Sequence, residues 1–267
     1  MTDDLLAPPG LDERDALFLD FDGTLAAIAP RPDAVVVADW VVPALTRAQT
    51  WLGGAVAVVS GRPLAELDAL LAPLRLPAVG VHGVERRDAA GRVRVLAGAP
   101  PEDLIHCAER LAARHEGLLV ERKPSALALH YRARPELAEL CAQALLAAAR
   151  PHHGTWAVQL GKCVVEVKPR RASKGEAVRD FLAMPDFAGR RPVFVGDDAT
   201  DEDGFAAVQA AGGCGVKVGP GPSGARCRLA DPAAVRDWLL AALHPLAPDE
   251  ASAPLRALAA AALGGLV

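Results

Sequence analysis

Ala16-Leu17-Phe18-Leu19-Asp20-Phe21-Asp22-Gly23-Thr24-Leu25 is the stretch whose reading decides the fold. Four apolar residues in succession read as a strand buried on both faces, as in the middle of a parallel sheet. Two aspartates follow, two positions apart. Alternate residues of an extended chain point the same way, so Asp20 and Asp22 can face one site. The end of a buried parallel strand is where open α/β sheets place their ligands. Gly23 allows a sharp turn there, and the Thr24 hydroxyl can donate to a bound anion. The competing reading is a polar loop with two solvated carboxylates.

Working outward, Ala55–Val59, Pro192–Val195 and Gly215–Val218 repeat the apolar strand pattern. Pro43–Ala48, Pro63–Leu71, Lys174–Ala183 and Asp201–Ala211 read as helices between them. This alternation predicts an α/β fold with a Rossmann-like, doubly wound parallel-sheet core. The middle of the chain differs. A strand over Arg92–Leu96, a helix over Pro101–His115 and paired strands at Leu118–Arg122 and Ala126–Arg132 come first. A helix over Pro135–Ala149 and a hairpin of Trp156–Leu160 with Cys163–Lys168 follow. The order βαββαββ predicts an inserted α+β unit at 86–168, between core segments 1–85 and 169–245. The Pro-rich, Ala-rich tail at 246–267 is given no function.

Composition narrows the class. In 267 residues, 51% are hydrophobic and 23% charged, which excludes wholesale disorder. Aromatic residues are only 4%, so Ala, Val and Leu must build most of the core. A net charge of -4 argues against non-specific nucleic-acid binding. The start, Met1-Thr2-Asp3-Asp4, is acidic where a signal peptide would carry positive charge, so none is expected. The apolar run Ala257–Val267 is well short of the ~20 residues of a membrane span. The five cysteines are odd in number and lack a C-x-x-C pair, which argues against a disulfide framework or a zinc site. A cytoplasmic protein is expected.

Three more strand ends carry polar groups. Val58-Val59-Ser60-Gly61-Arg62-Pro63 ends a strand in a hydroxyl, which either holds an anion or caps a helix. Lys174 opens a helix, where its charge opposes the helix dipole unless an anion or carboxylate is waiting. Gly196-Asp197-Asp198-Ala199-Thr200-Asp201-Glu202 gathers acids that repel one another unless a cation such as Mg²⁺ is held. In the middle unit, Glu121-Arg122-Lys123, His130-Tyr131-Arg132 and Gly161-Lys162 through Lys168 mix donors and acceptors, as sugar hydroxyls require. The alternative there is a solvated hairpin with surface ion pairs.

D-x-D-G-T, then Ser, then Lys, then G-D-x-x-x-D, in that order, resemble the haloacid dehalogenase-like phosphatase superfamily. The resemblance implies that Asp20 is the nucleophile, forming an aspartyl-phosphate, and that Asp22 is the general acid and base. It implies that Ser60 and Lys174 offset phosphoryl charge. Asp20, the main-chain carbonyl of Asp22, and Asp197 would hold Mg²⁺, with Asp198 or Asp201 ligating it through water or orienting the others. The insert resembles a C2B-type cap and, lying between the Ser60 and Lys174 motifs, is expected to act as a lid.

Further motifs resemble the trehalose-6-phosphate phosphatase family. These are V-V-S-G-R at Val58–Arg62, G-V-H-G-V-E at Gly80–Glu85, L-H-Y-R at Leu129–Arg132, G-K-x-V-V-E-V-K-P at Gly161–Pro169 and G-D-D-x-T-D-E at Gly196–Glu202. The match runs from about Leu17 to Leu240 and leaves the tail outside. It implies Mg²⁺-dependent hydrolysis of trehalose 6-phosphate. Glu121, Lys123, Arg132, Lys162 and Glu166 would contact the two glucose rings, with Arg62 and His82 near the phosphate. Pro124 would fix the direction of Lys123. A trehalose-phosphate synthase is the expected pathway partner; neither nucleic acid nor membrane is expected. The alternatives are a phosphatase of another sugar or osmolyte phosphate (sucrose 6-phosphate, glucosylglycerol phosphate), a phosphomutase, or a non-catalytic phosphosugar sensor.

Overall fold

The computed structural model describes residues 6–29, 34–96, 98–123, 125–161 and 163–243. The chain first runs β1 (Asp15–Leu19), α1 (Val41–Trp51), β2 (Val56–Val59), α2 (Leu64–Leu70), β3 (Ala78–Gly80), β4 (Glu85–Arg87) and β5 (Val93–Val95). Next come α3 (Glu102–Arg114), β6 (Leu119–Lys123), β7 (Ala126–His130), α4 (Ala138–Ala149), β8 (Trp156–Gly161) and β9 (Val164–Pro169). It returns as α5 (Lys174–Leu182), β10 (Arg191–Gly196), α6 (Glu202–Ala210), β11 (Cys214–Val218), β12 (Cys227–Leu229) and α7 (Pro232–Ala242).

Contacts divide the described residues into two compact units, one of residues up to 94 together with those from 173 on, and one of residues 95–172. In the first, an eight-stranded sheet runs in the order β12-β11-β10-β1-β2-β3-β4-β5. β1 pairs in parallel with β10 on one side and β2 on the other. The order therefore switches direction at β1, which opens a crevice at its C-terminal end. Every residue of β1 and β2 is buried, as their unbroken apolar runs require. Scarce aromatics are concentrated rather than spread. Phe18, Phe181 and Phe187 are fully buried, with ring centroids 5.1 to 6.1 Å apart. They bind α5 to β1, the two elements that start the site.

The second unit is a four-stranded antiparallel sheet, β6-β7-β9-β8. Leu104, Ile105 and Ala108 of α3 and Cys141 and Leu145 of α4 pack with Leu127, Leu129, Val165 and Val167 in one cluster. Strand alternation sends the intervening residues to the other face. The register sets Glu121, Ala128, Glu166 and Gln159 in one row there.

The doubly wound core is as expected, but the limits of the insert are not. The expected unit at 86–168 starts too early. β4 pairs antiparallel with β3, and β5 follows it at the edge of the core sheet. The insert is thus αββαββ, because its expected first strand is spent on extending the core. Its end lies at 172 rather than 168. The tail at 246–267 lies outside the described residues.

Phe181→Ala opens a cavity between α5 and β1. It should lower unfolding free energy by about 3–5 kcal/mol in urea denaturation. A loss below about 1 kcal/mol would mean that these rings do not anchor α5.

Candidate active site

Four adjacent strands of the first unit, β3, β2, β1 and β10, end around one cavity of about 470 Å³. Asp20, Asp22, Ser60, Arg62, His82, Lys174 and Asp198 line it. Asp20 is the first residue past β1, and its N–H donates to the Val195 carbonyl at 2.9 Å, prolonging the ladder to β10. Lys174 begins α5, whose N-cap Ser173 accepts from the Glu176 N–H at 3.1 Å.

Lys174 is 2% exposed and lies between two carboxylates. Its Nζ donates to Asp20 Oδ1 at 2.7 Å and to Asp201 Oδ1 at 2.6 Å. Burial opposes the ammonium charge, but Asp20, Asp201 and Asp198 outweigh it and hold the Lys174 pKa above the ordinary lysine value. The carboxylates are strained in the opposite sense. Burial, only partly offset by Lys174, pushes Asp20 up to about 7. Burial and then Asp201 and Asp198 push Asp197 up to about 6. Burial and then Asp20 push Asp201 up to about 8.

Oxygens of Asp20, Asp197 and Asp201 all lie within 4.8 Å of one another. Lys174, with Lys217 near Asp197, does not neutralise that group, and the burial of Asp20 and Asp201 keeps water from doing so. A hard divalent cation with oxygen ligands fits this donor set. The hydrogen bonds distinguish the members. Asp201 Oδ1 serves Lys174, and Oδ2 accepts the Asp197 and Asp198 N–H groups, each at 3.0 Å. Asp198 Oδ1 accepts from the Thr200 N–H at 2.7 Å, the Thr200 hydroxyl at 2.6 Å and the Asp201 N–H at 3.2 Å. Asp198 therefore folds the loop upon itself, and Asp201 ties that loop to Lys174. Asp20 and Asp197 keep oxygens free for an ion.

Asp22 is held by a two-pronged contact. Arg62 Nε donates to its Oδ2 at 2.7 Å and Nη2 to its Oδ1 at 2.8 Å. Its carboxylate is thus not one of the clustered three. Ser60 accepts from the Arg62 N–H at 3.1 Å through Oγ, which leaves its own proton to donate into the cavity. His82 sits on a strained turn: Val81 and His82 have φ of 48° and 51°. Such backbone costs about 1–3 kcal/mol per residue and persists where neighbours enforce it. Here the Val81 N–H donates to the Arg62 carbonyl at 3.0 Å and the His82 N–H to the Ser60 carbonyl at 3.1 Å. Gly61 makes room for the ring, since a Cβ there would stand 2.4 Å from His82 Cε1.

Thr24 departs from its expected role. It is 0% exposed, does not line the cavity, and its hydroxyl has no partner among the described residues. In the second unit, Lys123 Nζ donates to Glu166 Oε1 at 2.9 Å, and His130 Nε2 meets Glu121 Oε2 at 2.9 Å. Arg132 is exposed in the turn after β7. Lys162 and Pro124 lie outside the described residues. Sequence reasoning missed Glu85, whose Oε2 accepts the Leu64 N–H at 2.8 Å and so caps α2, whose N-cap is Pro63. It also missed Lys217, whose signal was a lysine inside the buried strand Gly-Val-Lys-Val.

Residues 18–233 match the family model described as trehalose-phosphatase. The chain is 45% identical to the trehalose-6-phosphate phosphatase of Escherichia coli (strain K12) over 244 residues, 90% of each chain. It is 45% identical over 211 residues to a probable trehalose-phosphate phosphatase of Sinorhizobium fredii, covering 77% of this chain and 78% of that one. Among solved structures it is similar to Aspergillus fumigatus trehalose-6-phosphate phosphatase, with a TM-score of 0.73 and 26% identity over 90% of this chain and all of that one.

Gly23 has φ +87°, and a Cβ on it would stand 2.2 Å from Asp197 Oδ2. Gly23→Ala should therefore displace Asp197 and lower phosphate-ester turnover by about a hundredfold with the circular dichroism spectrum unchanged. A variant at the wild-type rate would show that the position of Asp197 is not critical.

Proposed function

Since the chain belongs to the trehalose-phosphatase family, we propose that it hydrolyses trehalose 6-phosphate to trehalose and inorganic phosphate, with Mg²⁺ and through an aspartyl-phosphate on Asp20. The observation that carries this reading is the buried contact of Lys174 with both Asp20 and Asp201, beside Asp197. It holds Asp20 through one carboxylate oxygen and so orients the carboxylate for attack.

In the first half-reaction Asp20 attacks phosphorus. Lys174, the Ser60 hydroxyl and Arg62 hold the phosphoryl oxygens. Released from Arg62, the Asp22 carboxylate takes up a proton from solvent and gives it to the departing sugar alkoxide. As Arg62 turns to the phosphoryl group, the two events become linked. In the second half-reaction Asp22 takes a proton from water, water attacks the phosphorus of the acyl phosphate, and Asp20 is regenerated. Asp20, Asp197 and the main-chain carbonyl of Asp22 would hold Mg²⁺, with Asp198 and Asp201 ordering the loop, and the ion would supply positive charge against the phosphate dianion. His82 faces the phosphate end of the cavity.

Specificity falls to the insert. Glu121, Lys123, Arg132, Lys162 and Glu166 bind the two glucose rings through their hydroxyls. Among the described residues no helix is long and apolar enough to cross a membrane. The five cysteines are free thiols, which suits a cytoplasmic enzyme fed by a trehalose-phosphate synthase.

Phosphate release is to be measured from trehalose 6-phosphate, sucrose 6-phosphate, glucose 6-phosphate and glucose 1-phosphate, each with Mg²⁺ and with EDTA. Release from trehalose 6-phosphate alone, abolished by EDTA, is expected. Release from another ester instead would overturn the assignment of the insert, and release that survives EDTA would overturn the metal reading. Glu166→Ala should raise KM for trehalose 6-phosphate by about ten- to a hundredfold, the worth of one charge-assisted hydrogen bond. It should spare p-nitrophenyl phosphate; equal losses on both would make Glu166 structural.

A further inference from the structure

We propose that Lys217 is a positioning residue for the divalent cation, fixing the main chain of Asp197 so that its carboxylate faces Asp20. The proposal rests on the reading of Asp20 and Asp197 as metal ligands.

Lys217 is the fourth residue of β11 and is 7% exposed. Its neighbours in the strand are Val216 and Val218, both buried. An ammonium is kept in such surroundings only where it is bonded. The other buried cations described, Arg62, Arg86, Arg87 and Lys174, each face a carboxylate: Asp22, Asp180, Asp68 and Asp20. Lys217 differs: among the described residues no carboxylate oxygen contacts its Nζ, although its charge acts on the nearby Asp197 carboxylate. Its Nζ donates instead to two main-chain carbonyls, of Asp197 at 2.5 Å and Val218 at 2.6 Å. No direct ion pair therefore accounts for its burial, whereas its hydrogen bond to a carbonyl of the acidic loop does.

The sheet register puts it in place. Lys217 lies opposite Gly196 in the parallel β10–β11 pair, one residue before Asp197. The Asp197 residue is then held from two directions. Asp201 Oδ2 accepts its N–H at 3.0 Å, and Lys217 takes its carbonyl. Gly23 closes a third side, since a Cβ on it would meet Asp197 Oδ2. With both peptide groups fixed and one flank blocked, the carboxylate has little freedom except toward Asp20. Asp201 and Lys217 thus form a matched pair, an anion for the donor and a cation for the acceptor of one residue.

Two effects of Lys217 on a bound cation oppose each other. Its charge repels the ion, and its hydrogen bond orders the ligand. The proposal is that the second prevails. Removing an outer hydrogen-bond partner of a metal ligand typically weakens metal binding about 10- to 100-fold.

The test is calorimetric titration of the full chain with Mg²⁺ for the wild type and for Lys217→Met, Lys217→Gln and Lys217→Arg. The Mg²⁺ dissociation constant should rise about tenfold or more in Lys217→Met. It should rise less in Lys217→Gln, which keeps an N–H donor, and stay near wild type in Lys217→Arg. In steady state, the Mg²⁺ concentration for half-maximal rate should rise in the same order while KM for p-nitrophenyl phosphate at saturating Mg²⁺ holds. A lysine that only packs would lower the unfolding midpoint and leave the Mg²⁺ constant alone. An unchanged constant, or tighter binding in Lys217→Met and Lys217→Gln, overturns the proposal. If Lys217→Met does not fold, the contrast of Gln with Arg decides. A wild type that binds no Mg²⁺ overturns the metal reading itself and this inference with it, whereas equal binding by wild type and variants removes the inference alone.

Discussion

One buried ammonium holds the site together. Lys174 stands between Asp20 and Asp201 with almost no access to water. Such a charge is costly to bury and is stable only while its partners stay ionised and in place. Asp20 comes from the end of β1, Lys174 from the start of α5 and Asp201 from the start of α6. The contact therefore joins three elements far apart in sequence. It also leaves surplus negative charge, since Asp197 and Asp198 lie beside it and Lys217, bonded to the Asp197 main chain, adds only a second positive charge nearby. That surplus suits a cation, which would make an anionic nucleophile compatible with an anionic substrate. The Asp201–Asp197–Lys217 chain of hydrogen bonds extends the same logic outward, from charge balance to the direction of a single carboxylate.

Core and insert meet different demands. A parallel sheet presents the ends of its strands, so groups from β1, β2, β3 and β10 converge on a point, as attack on phosphorus requires. An antiparallel sheet presents a face. In the insert, apolar residues turn to α3 and α4, and Glu121, Lys123, His130 and Glu166 share the opposite side. A face of mixed donors and acceptors suits a broad, hydroxylated ligand better than a single reacting atom.

Much of this was legible in the sequence. Asp20, Asp22, Lys174 and Asp197 follow long apolar runs or open helices, and their charge is conspicuous against that background. β1, β2, β10 and β11 were legible for the same reason, because strands buried on both faces have no polar interruptions. β3, β4 and β5 are three residues each, too short to carry a period. Strand-like residues at Arg92–Leu96 say nothing about which sheet they will join, so the start of the insert is not legible in them. Pairings across the fold were also hidden. Nothing local tells that Arg62 grips Asp22, that Glu85 caps α2, or that the Thr24 hydroxyl turns inward. Lys217 was visible as an oddity, a charge in a buried strand, but its partner is a main-chain carbonyl, which no side-chain motif records.

The central claim is that Asp20 carries the phosphoryl group between two half-reactions. It is tested most directly by acid-quenching the enzyme during turnover of ³²P-labelled trehalose 6-phosphate and mapping the labelled peptide. The account predicts a hydroxylamine-sensitive label on the peptide containing Asp20, absent from Asp20→Asn. Label on another residue, or turnover with no covalent label at any quench time, would contradict it.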